Sequence, residues 1–200
     1  MTEGTVAGIV LAGGRSERFG RDKLTEEVGG EPLLAHAVRR LVEVTPEVHL
    51  IITAGDPLPS LPGDLTVAYV RDLVEFSFEG PLRAVARGLA FVESTWAIVV
   101  GGDMPSLEPS VLREMVRMAR ETRADAVALA DEGDARPLPL VLRNEPVAQA
   151  IGDLLNAGRR SLRDLLAAVR TVVVDEPTWT SLDPERRTLF DVDEPSDLHG

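Results

Sequence analysis

The sequence predicts a doubly wound α/β fold in which one mostly parallel, Rossmann-like sheet carries helices on both faces. Short apolar runs alternate with helical patterns along the whole chain, and this order of elements is typical of such folds. The apolar runs are continuous, as expected for strands that are buried on both faces. With 200 residues, 44% of them hydrophobic, the chain is large enough for the core of one domain, which we expect to span residues 1–200.

The first half of the chain is predicted to hold four strands and two helices. The first strand covers residues 6–12, an apolar run that ends in glycines. A helix is expected to open at Glu31-Pro32, because proline suits the first helical turn, and a second one at Gly80-Pro81. The other strands of this half are predicted at residues 48–53, 65–70 and 96–100.

The second half continues the alternation. A helix is expected at 109–121, and two strands at 125–130 and 138–142. The second of these strands contains Pro139 and follows Pro137, and proline cannot donate to a strand ladder, so we expect an edge or irregular position for it. Further along the chain we predict helices near 147–156 and 161–168, a strand at 171–174, and a short segment at 189–192 before a turn led by Pro195.

Composition and charge exclude several classes of function. The formal net charge is -12 and no lysine-rich run is present, so nucleic acid is not expected as a partner. No apolar run approaches the ~18–20 residues of a membrane span, and no basic segment of the secretory type precedes the first strand. Cysteine is absent, which excludes disulfides, thiolate zinc sites and cysteine nucleophiles. We therefore expect a cytoplasmic protein without a membrane partner, either a monomer or a weak homo-oligomer.

The loop after the first strand is the strongest functional signal. Lys23 is the only lysine among 21 basic residues, and it ends a glycine-rich segment, 13–23, that holds four cations. Backbone N–H groups in a glycine turn can point at an anion, and a lysine ammonium suits a phosphate as a point charge. The segment is neither a P-loop nor a dinucleotide-binding fingerprint. It predicts a phosphate site of another design, although Gly13-Gly14 alone would also suit a tight exit from the strand.

Carboxylates follow two other predicted segments. Asp103 ends a buried strand within Gly101-Gly102-Asp103-Met104-Pro105, where it could hold Mg²⁺, a metal that needs only one or two carboxylates, or could cap the next turn. Asp191 and Asp193 alternate on an extended segment and can therefore face one site, where either could be a second metal ligand. The alternative for Asp193 is the N-cap of a turn before Pro195.

These signals are expected to meet at one edge of the sheet. Ligands of doubly wound folds bind beyond the carboxyl ends of the strands, and the segment 13–23, Asp72, Asp103 and the pair Asp191/Asp193 each follow a strand. The three histidines are far apart in the sequence, so neither a Ser-His-Asp triad nor a histidine metal site is indicated. Phosphoryl-type transfer fits this inventory, because it needs positioning, cations and a metal more than a protein nucleophile.

The segment 11–23 resembles the signature loop of the molybdenum cofactor guanylyltransferase family, the MobA-like nucleotidyltransferases. Similar motifs follow in the same order over nearly the whole chain. They are Arg71-Asp72, Gly80-Pro81-Leu82, Gly102-Asp103-Met104-Pro105, Arg136-Pro137-Leu138-Pro139-Leu140, Gly158-Arg159-Arg160-Ser161-Leu162 and the segment 190–198. The first loop is shared with the wider superfamily, whereas its combination with the compact length and the Arg-Ser-Leu segment points to the molybdenum branch.

The resemblance implies a role for each matching residue. Lys23 and Arg15 would neutralise charge on the phosphates, Asp72 would lie near the guanosine, and Asp103 would bind Mg²⁺ with Asp193 as a possible helper. The residues that would contact the guanine nucleotide are Leu11, Ala12, Gly13 and Gly14.

The activity implied is the transfer of GMP from Mg-GTP to the terminal phosphate of molybdopterin or molybdenum cofactor, with release of pyrophosphate. The family often has Asn-x-Asn-Thr-Pro where this chain has the segment 191–195, and here the chain resembles the cytidylyltransferase relatives, whereas Ala12-Gly13-Gly14 favours guanine. The alternatives are a cytidylyltransferase for the same pterin and a guanylyltransferase for another small phosphorylated acceptor. A non-catalytic nucleotide sensor is disfavoured because both Lys23 and Asp103 are present, and an interaction module would show no nucleotide binding.

Overall fold

A computed structural model describes residues 4–13, 22–53, 56–71 and 80–199 of the chain. Within these ranges, ten strands and six α-helices alternate along most of the chain. The strands are β1 Val6–Leu11, β2 Glu27–Val28, β3 Glu31–Pro32, β4 Val48–Ile52, β5 Ala68–Arg71, β6 Trp96–Gly101, β7 Ala126–Asp131, β8 Asp134–Ala135, β9 Leu140–Arg143 and β10 Thr171–Val174. The helices are α1 Leu33–Val42, α2 Pro81–Leu89, α3 Pro109–Thr122, α4 Asn144–Asn156, α5 Leu162–Ala168 and α6 Glu176–Leu182.

One mostly parallel sheet organises the described part of the chain, in the order β10-β7-β9-β6-β1-β4-β5 with β8 paired to β7. The pairs β1–β4, β1–β6, β4–β5 and β7–β10 are parallel. Strand β9 is antiparallel to both β6 and β7. The predicted mixed fold with a mostly parallel sheet is therefore confirmed.

The expectation of an edge or irregular position for the strand near residues 138–142 was wrong, because β9 lies in the interior of the sheet. Its prolines do not interrupt the ladder, since Pro137 and Pro139 precede the first paired residue, Leu140. The proline rule holds for paired positions, and the predicted strand began two residues too early.

The helices cover both faces of the sheet, which gives the fold three layers. Helices α1, α3 and α6 bury one set of side chains against the first face, including Leu34, Met115 and Trp179. Helices α2, α4 and α5 cover the opposite face with a second set that includes Leu82 and Ile151. Burial on both faces accounts for the continuous apolar composition of the central strands.

Two local details differ from the sequence prediction. Pro32 does not lie in the first helical turn: its backbone is extended, it pairs with Glu27 in a short antiparallel ladder, and α1 begins at Leu33. Helix α6 was not predicted, although Asp175 caps it by accepting a hydrogen bond from the backbone N–H of Thr178. Among the described residues, no helix combines the length and the apolar character needed to cross a bilayer.

Candidate active site

Asp103 is held at the carboxyl end of β6 by backbone contacts to two other segments. The N–H of Gly102 donates to the carbonyl of Leu11 at the end of β1, at 3.0 Å. The N–H of Val192 donates to the carbonyl of Asp103, at 2.9 Å. The segment that contains Asp191 and Asp193 is thereby fixed across the end of β6, beside the end of β1.

Lys23 reaches the same place from the loop after β1. It opens a short 3₁₀ helix, Lys23–Thr25, which is capped by the side chain of Asp22 through the N–H of Leu24. Its ammonium nitrogen lies 2.8 Å from Oδ2 of Asp103 and donates to the carbonyl of Val192 at 2.7 Å. Oδ1 of Asp193 is 3.8 Å away. The ammonium therefore joins the loop after β1, the end of β6 and the 191–193 segment.

This lysine contact is substantially shielded from water. The side chain of Lys23 is 17% exposed and that of Asp103 is 28% exposed, whereas Asp193 is 57% exposed. Because ion pairs are screened less as they leave bulk water, the pair with Asp103 is stronger than an ordinary surface pair, and the more distant contact with Asp193 contributes less.

The start of the glycine loop is packed too closely for a side chain. A Cβ added at Gly13 would lie 2.7 Å from Oγ1 of Thr53, at the end of the neighbouring strand β4. A Cβ at Gly102 would lie 2.9 Å from Cδ1 of Leu34. The N–H of Ala12 donates to the carbonyl of Ile51 at 2.9 Å, which continues the β1–β4 pairing to the edge of the sheet. Glycine at these two positions brings the ends of β1, β4 and β6 together.

The 191–193 segment contributes negative charge to the edge. Burial, followed by the nearby charges of Asp193 and Asp103, raises the pKa of Asp191 above its ordinary value, against smaller opposing effects of a backbone hydrogen bond and of Arg136. The N–H groups of Asp193 and Glu194 both donate to Oδ2 of Asp197. The capping carboxylate of this turn is therefore Asp197, which leaves the side chain of Asp193 directed to the ion pair with Lys23.

The donor set fits a divalent cation that is shared with a ligand. Asp103, Asp191 and Asp193 are close enough to influence one another electrostatically. Their combined negative charge is what a bound cation would neutralise. Among the described residues, no three acidic or histidine side chains form a ready-made metal cage. A Mg²⁺ ion here would take one or two carboxylates, Asp103 foremost, and complete its shell with water and phosphate oxygens.

The predicted site residues divide into two groups. The structure brings together Lys23, Asp103 and Asp193, with Leu11, Ala12 and Gly13 at the adjoining end of β1. Gly14, Arg15 and Asp72 lie outside the described residues. The chemical roles assigned to both groups stay predictions.

Sequence reasoning missed several contributors to this edge. The carbonyl of Val192 accepts from Lys23, and no side-chain pattern can reveal a backbone acceptor. Thr53 faces Gly13 and is buried, a pairing that follows only from the β1–β4 register. Two motifs that are distant in sequence also meet, because the N–H of Leu82 donates to the carbonyl of Arg160. The sequence signal for this contact was the glycine before Pro81, since Gly80 has a φ of 92° and packs against Arg160.

A Rossmann-like sheet in which Gly13, Lys23 and the strand-end Asp103 meet at the carboxyl edge is the arrangement expected of a nucleotidyltransferase. The model of one family in this class, described as the MobA-like NTP transferase domain, matches residues 8–173. The chain belongs to this family.

Comparisons with individual proteins agree with the family. A protein of Mycolicibacterium paratuberculosis named "Probable molybdenum cofactor guanylyltransferase" is 35% identical, over 96% of this chain and 93% of its own. A protein of the same name from Chloroflexus aggregans is 31% identical, over 96% and 91%. Among solved structures, molybdopterin-guanine dinucleotide biosynthesis protein A from Archaeoglobus fulgidus superposes with a TM-score of 0.76 at 18% identity, over 96% of this chain and 95% of that one. At that identity the superposition supports the fold.

Proposed function

We propose that this chain transfers GMP from Mg-GTP to the terminal phosphate of molybdopterin, or of molybdenum cofactor, and releases pyrophosphate. The observation that carries the proposal is the contact of Lys23 with Asp103 at the carboxyl edge, because it places a cation and a potential metal ligand at one point. The names of the 31–35% identical relatives supply the substrates. We propose further that residues 1–200 act as one nucleotidyltransferase domain in the cytoplasm, as a monomer or weak homo-oligomer, without nucleic acid or membrane partners.

The proposed reaction is an in-line displacement. An oxygen of the acceptor phosphate attacks the α-phosphorus of GTP and forms a new P–O bond. The bond from the α-phosphorus to the bridging oxygen breaks, and its electron pair leaves with pyrophosphate. A phosphomonoester is largely ionised near neutral pH, so the attacking oxygen requires no protein base. The protein contributes by positioning both anions and stabilising their charge.

Each residue of the site has a task in this scheme. Backbone N–H groups of Gly13 and Gly14 receive phosphate oxygens, with Leu11 and Ala12 against the nucleotide and Asp72 beside its guanosine. Lys23, with Arg15, neutralises charge that develops on the phosphates. Asp103, helped by Asp193, holds Mg²⁺, which supplies Lewis acidity to the triphosphate when it is bound.

A single-turnover reaction tests the function. The protein is mixed with molybdopterin, Mg²⁺ and GTP labelled at the α-phosphorus, and product and pyrophosphate are measured together. We expect stoichiometric transfer of the label to the pterin. Label that stays in GTP in the presence of intact molybdopterin would contradict the proposal, and nucleotide binding without transfer would indicate a nucleotide sensor.

The base is tested separately, because the aspartates at 191 and 193 resemble the pattern of the cytidylyltransferase relatives. Melting temperatures are compared with GTP, CTP and ATP, each with Mg²⁺. We expect the largest rise with GTP, since a ligand that binds only the folded state stabilises it by mass action. A larger rise with CTP would assign the chain to cytidylyl transfer on the same pterin.

A further inference from the structure

A second cation, Arg136, enters the same edge of the sheet from the opposite side. The sheet order β7-β9-β6-β1 places the end of β6, and with it Asp103, between the loop that carries Lys23 and the connection that carries Arg136. The N–H of Arg136 donates to the carbonyl of Leu129 in β7 at 2.9 Å. The hairpin of β7 and β8 ends one residue earlier, so the backbone of Arg136 is anchored to the sheet.

The guanidinium of Arg136 is held in one orientation but makes few hydrogen bonds among the described residues. Its Nη1 is 3.4 Å from Oδ2 of Asp131, longer than the ~2.7–2.9 Å of a charge-assisted hydrogen bond. The other carboxylate oxygen of Asp131 is taken by Arg186, which also pairs with Glu176. The buried Nε of Arg136 has no hydrogen-bond acceptor among the described residues, while the side chain as a whole is 36% exposed. Asp131 therefore holds the guanidinium in place without fully using its donors.

Arg136 lies at the same edge as the acidic cluster of Asp103, Asp191 and Asp193. It precedes β9, the neighbour of β6, whose end carries Asp103, and the N–H of Val192, between Asp191 and Asp193, donates to the carbonyl of Asp103. An acceptor phosphate that approached this edge unaided would meet these three carboxylates and the triphosphate, all of which repel it. Lys23 is occupied by Asp103 and Val192 on the β1 side. A cation on the β7–β9 side would attract the acceptor phosphate and offset this repulsion.

We propose that Arg136 is the binding residue for the terminal phosphate of the acceptor, and that Asp131 is a positioning residue that aims it. The inference rests on the proposed function and adds a separate site for the attacking phosphomonoester. The planar fork of arginine matches two oxygens of one phosphate, which leaves the third oxygen to attack the α-phosphorus. Arg136 forms and breaks no covalent bond. The P–O bond that forms and the pyrophosphate that leaves are the same as in the reaction proposed above.

The test separates acceptor binding from nucleotide binding. Molybdopterin is titrated into wild type and into Arg136→Met, Arg136→Lys and Asp131→Asn, with the fluorescence of the pterin as the signal and no nucleotide present. We expect the acceptor dissociation constant to rise about 10- to 100-fold in Arg136→Met, the range for loss of a charged hydrogen bond. Arg136→Lys keeps the charge but not the fork, so its loss should be smaller. Asp131→Asn should weaken binding less than Arg136→Met.

Arg143→Met is the matched control. Arg143 ends β9, the strand that Arg136 precedes, and so lies at the opposite edge. It pairs with Asp125 and also has a buried Nε without an acceptor among the described residues. We expect unchanged molybdopterin affinity in this variant. Should it fail to fold, Arg40→Met serves instead, because the Arg40 side chain on α1 is 43% exposed and its Nη1 lies 3.4 Å from Oε1 of Glu43.

Three readouts decide the outcome. In wild type, inorganic phosphate should compete with molybdopterin, and in Arg136→Met this competition should disappear. The dissociation constant of Mg-GTP should be the same in both proteins. If Arg136→Met binds molybdopterin as wild type does, or if it loses Mg-GTP instead, the assignment of Arg136 is wrong while the transferase function stands. If wild type itself transfers no label to molybdopterin, the proposed function has failed.

Discussion

The ammonium nitrogen of Lys23 lies 2.8 Å from Oδ2 of Asp103, although the two residues follow different strands of the sheet. One strand, β1, delivers the loop with Lys23, and its parallel neighbour β6 delivers Asp103. The contact joins two side chains of the protein itself, so the fold holds the cation and the carboxylate together. The consequences for turnover and for metal binding can be measured separately.

Removal of the lysine should abolish most of the activity. In Lys23→Ala we expect kcat/KM for GTP to fall about 10²- to 10³-fold, as for the loss of one well-placed donor to a developing charge. The measurement is pyrophosphate release with molybdopterin as acceptor. Arg40→Ala, which changes an exposed pair on α1, is the control and should retain activity. Near-normal turnover in Lys23→Ala would remove the lysine from the chemistry.

The same contact should make Asp103 a poor ligand for free metal. The ammonium already neutralises the carboxylate, so a divalent ion must displace it, whereas Mg-GTP brings phosphates that can take the ammonium in exchange. We expect Lys23→Met to bind free Mn²⁺ more tightly than wild type, as measured by electron paramagnetic resonance. When Asp103→Asn is combined with Lys23→Met, the Mn²⁺ affinity should no longer exceed that of wild type. Equal Mn²⁺ affinity in wild type and Lys23→Met would contradict this competition.

A methyl group at Gly101 should displace the carboxylate of Asp103. Its Cβ would overlap Oδ1 of Asp103, so the side chain must rotate away from the position it holds beside Lys23. We expect a loss of activity of about 100-fold, the cost of a ~1 Å misplacement, with the fold retained. Activity and thermal melts are measured together.

Gly152→Ala is the control for the Gly101 substitution. Gly152 lies within α4, and a Cβ there meets nothing within 4 Å. Activity should be unchanged and stability should rise by about 0.5–1 kcal/mol, because alanine costs less backbone entropy in a helix. An active Gly101→Ala protein would show that the orientation of Asp103 is not critical.

Arg39 should link stability to pH. Its guanidinium joins α1 to Glu31 and Asp64, and its hydrogen bonds are the main cause that lowers the pKa of both carboxyl groups. A lowered pKa in the folded state gives stability that is present above the ordinary value and is lost as pH falls through the lowered one. We therefore expect Arg39→Met to melt below wild type at pH 7, with the difference closing below about pH 4.

A mutant cycle with three substitutions isolates the Arg39 contribution. Glu31→Gln combined with Asp64→Asn removes both partner charges, and Arg39→Met in that background should then change the melting temperature little at any pH. A persistent difference between wild type and Arg39→Met at low pH would show that the side chain acts through packing of its aliphatic part.

The sequence was sufficient to predict the fold class and the edge of the sheet where Lys23 and Asp103 meet. Both followed from local patterns, because in a doubly wound fold the residue after each parallel strand lies at the same edge. The antiparallel course of β9 was not predictable in this way, since pairing with β6 and β7 is set by long-range packing and leaves no local signature. The contacts of Val192 with Lys23 and Asp103 are likewise set by tertiary packing.

The reversed direction of β9 has a consequence for how new specificities can arise on this scaffold. A parallel strand presents the loop that follows it at the carboxyl edge, whereas β9 presents its leading segment, 136–139, there and sends its far end to the opposite edge. Helix α4, which begins directly after β9, therefore starts at that opposite edge. Under the proposed function, substitutions in 136–139 would alter the choice of acceptor while the segments that carry Lys23 and Asp103 keep their own sequence.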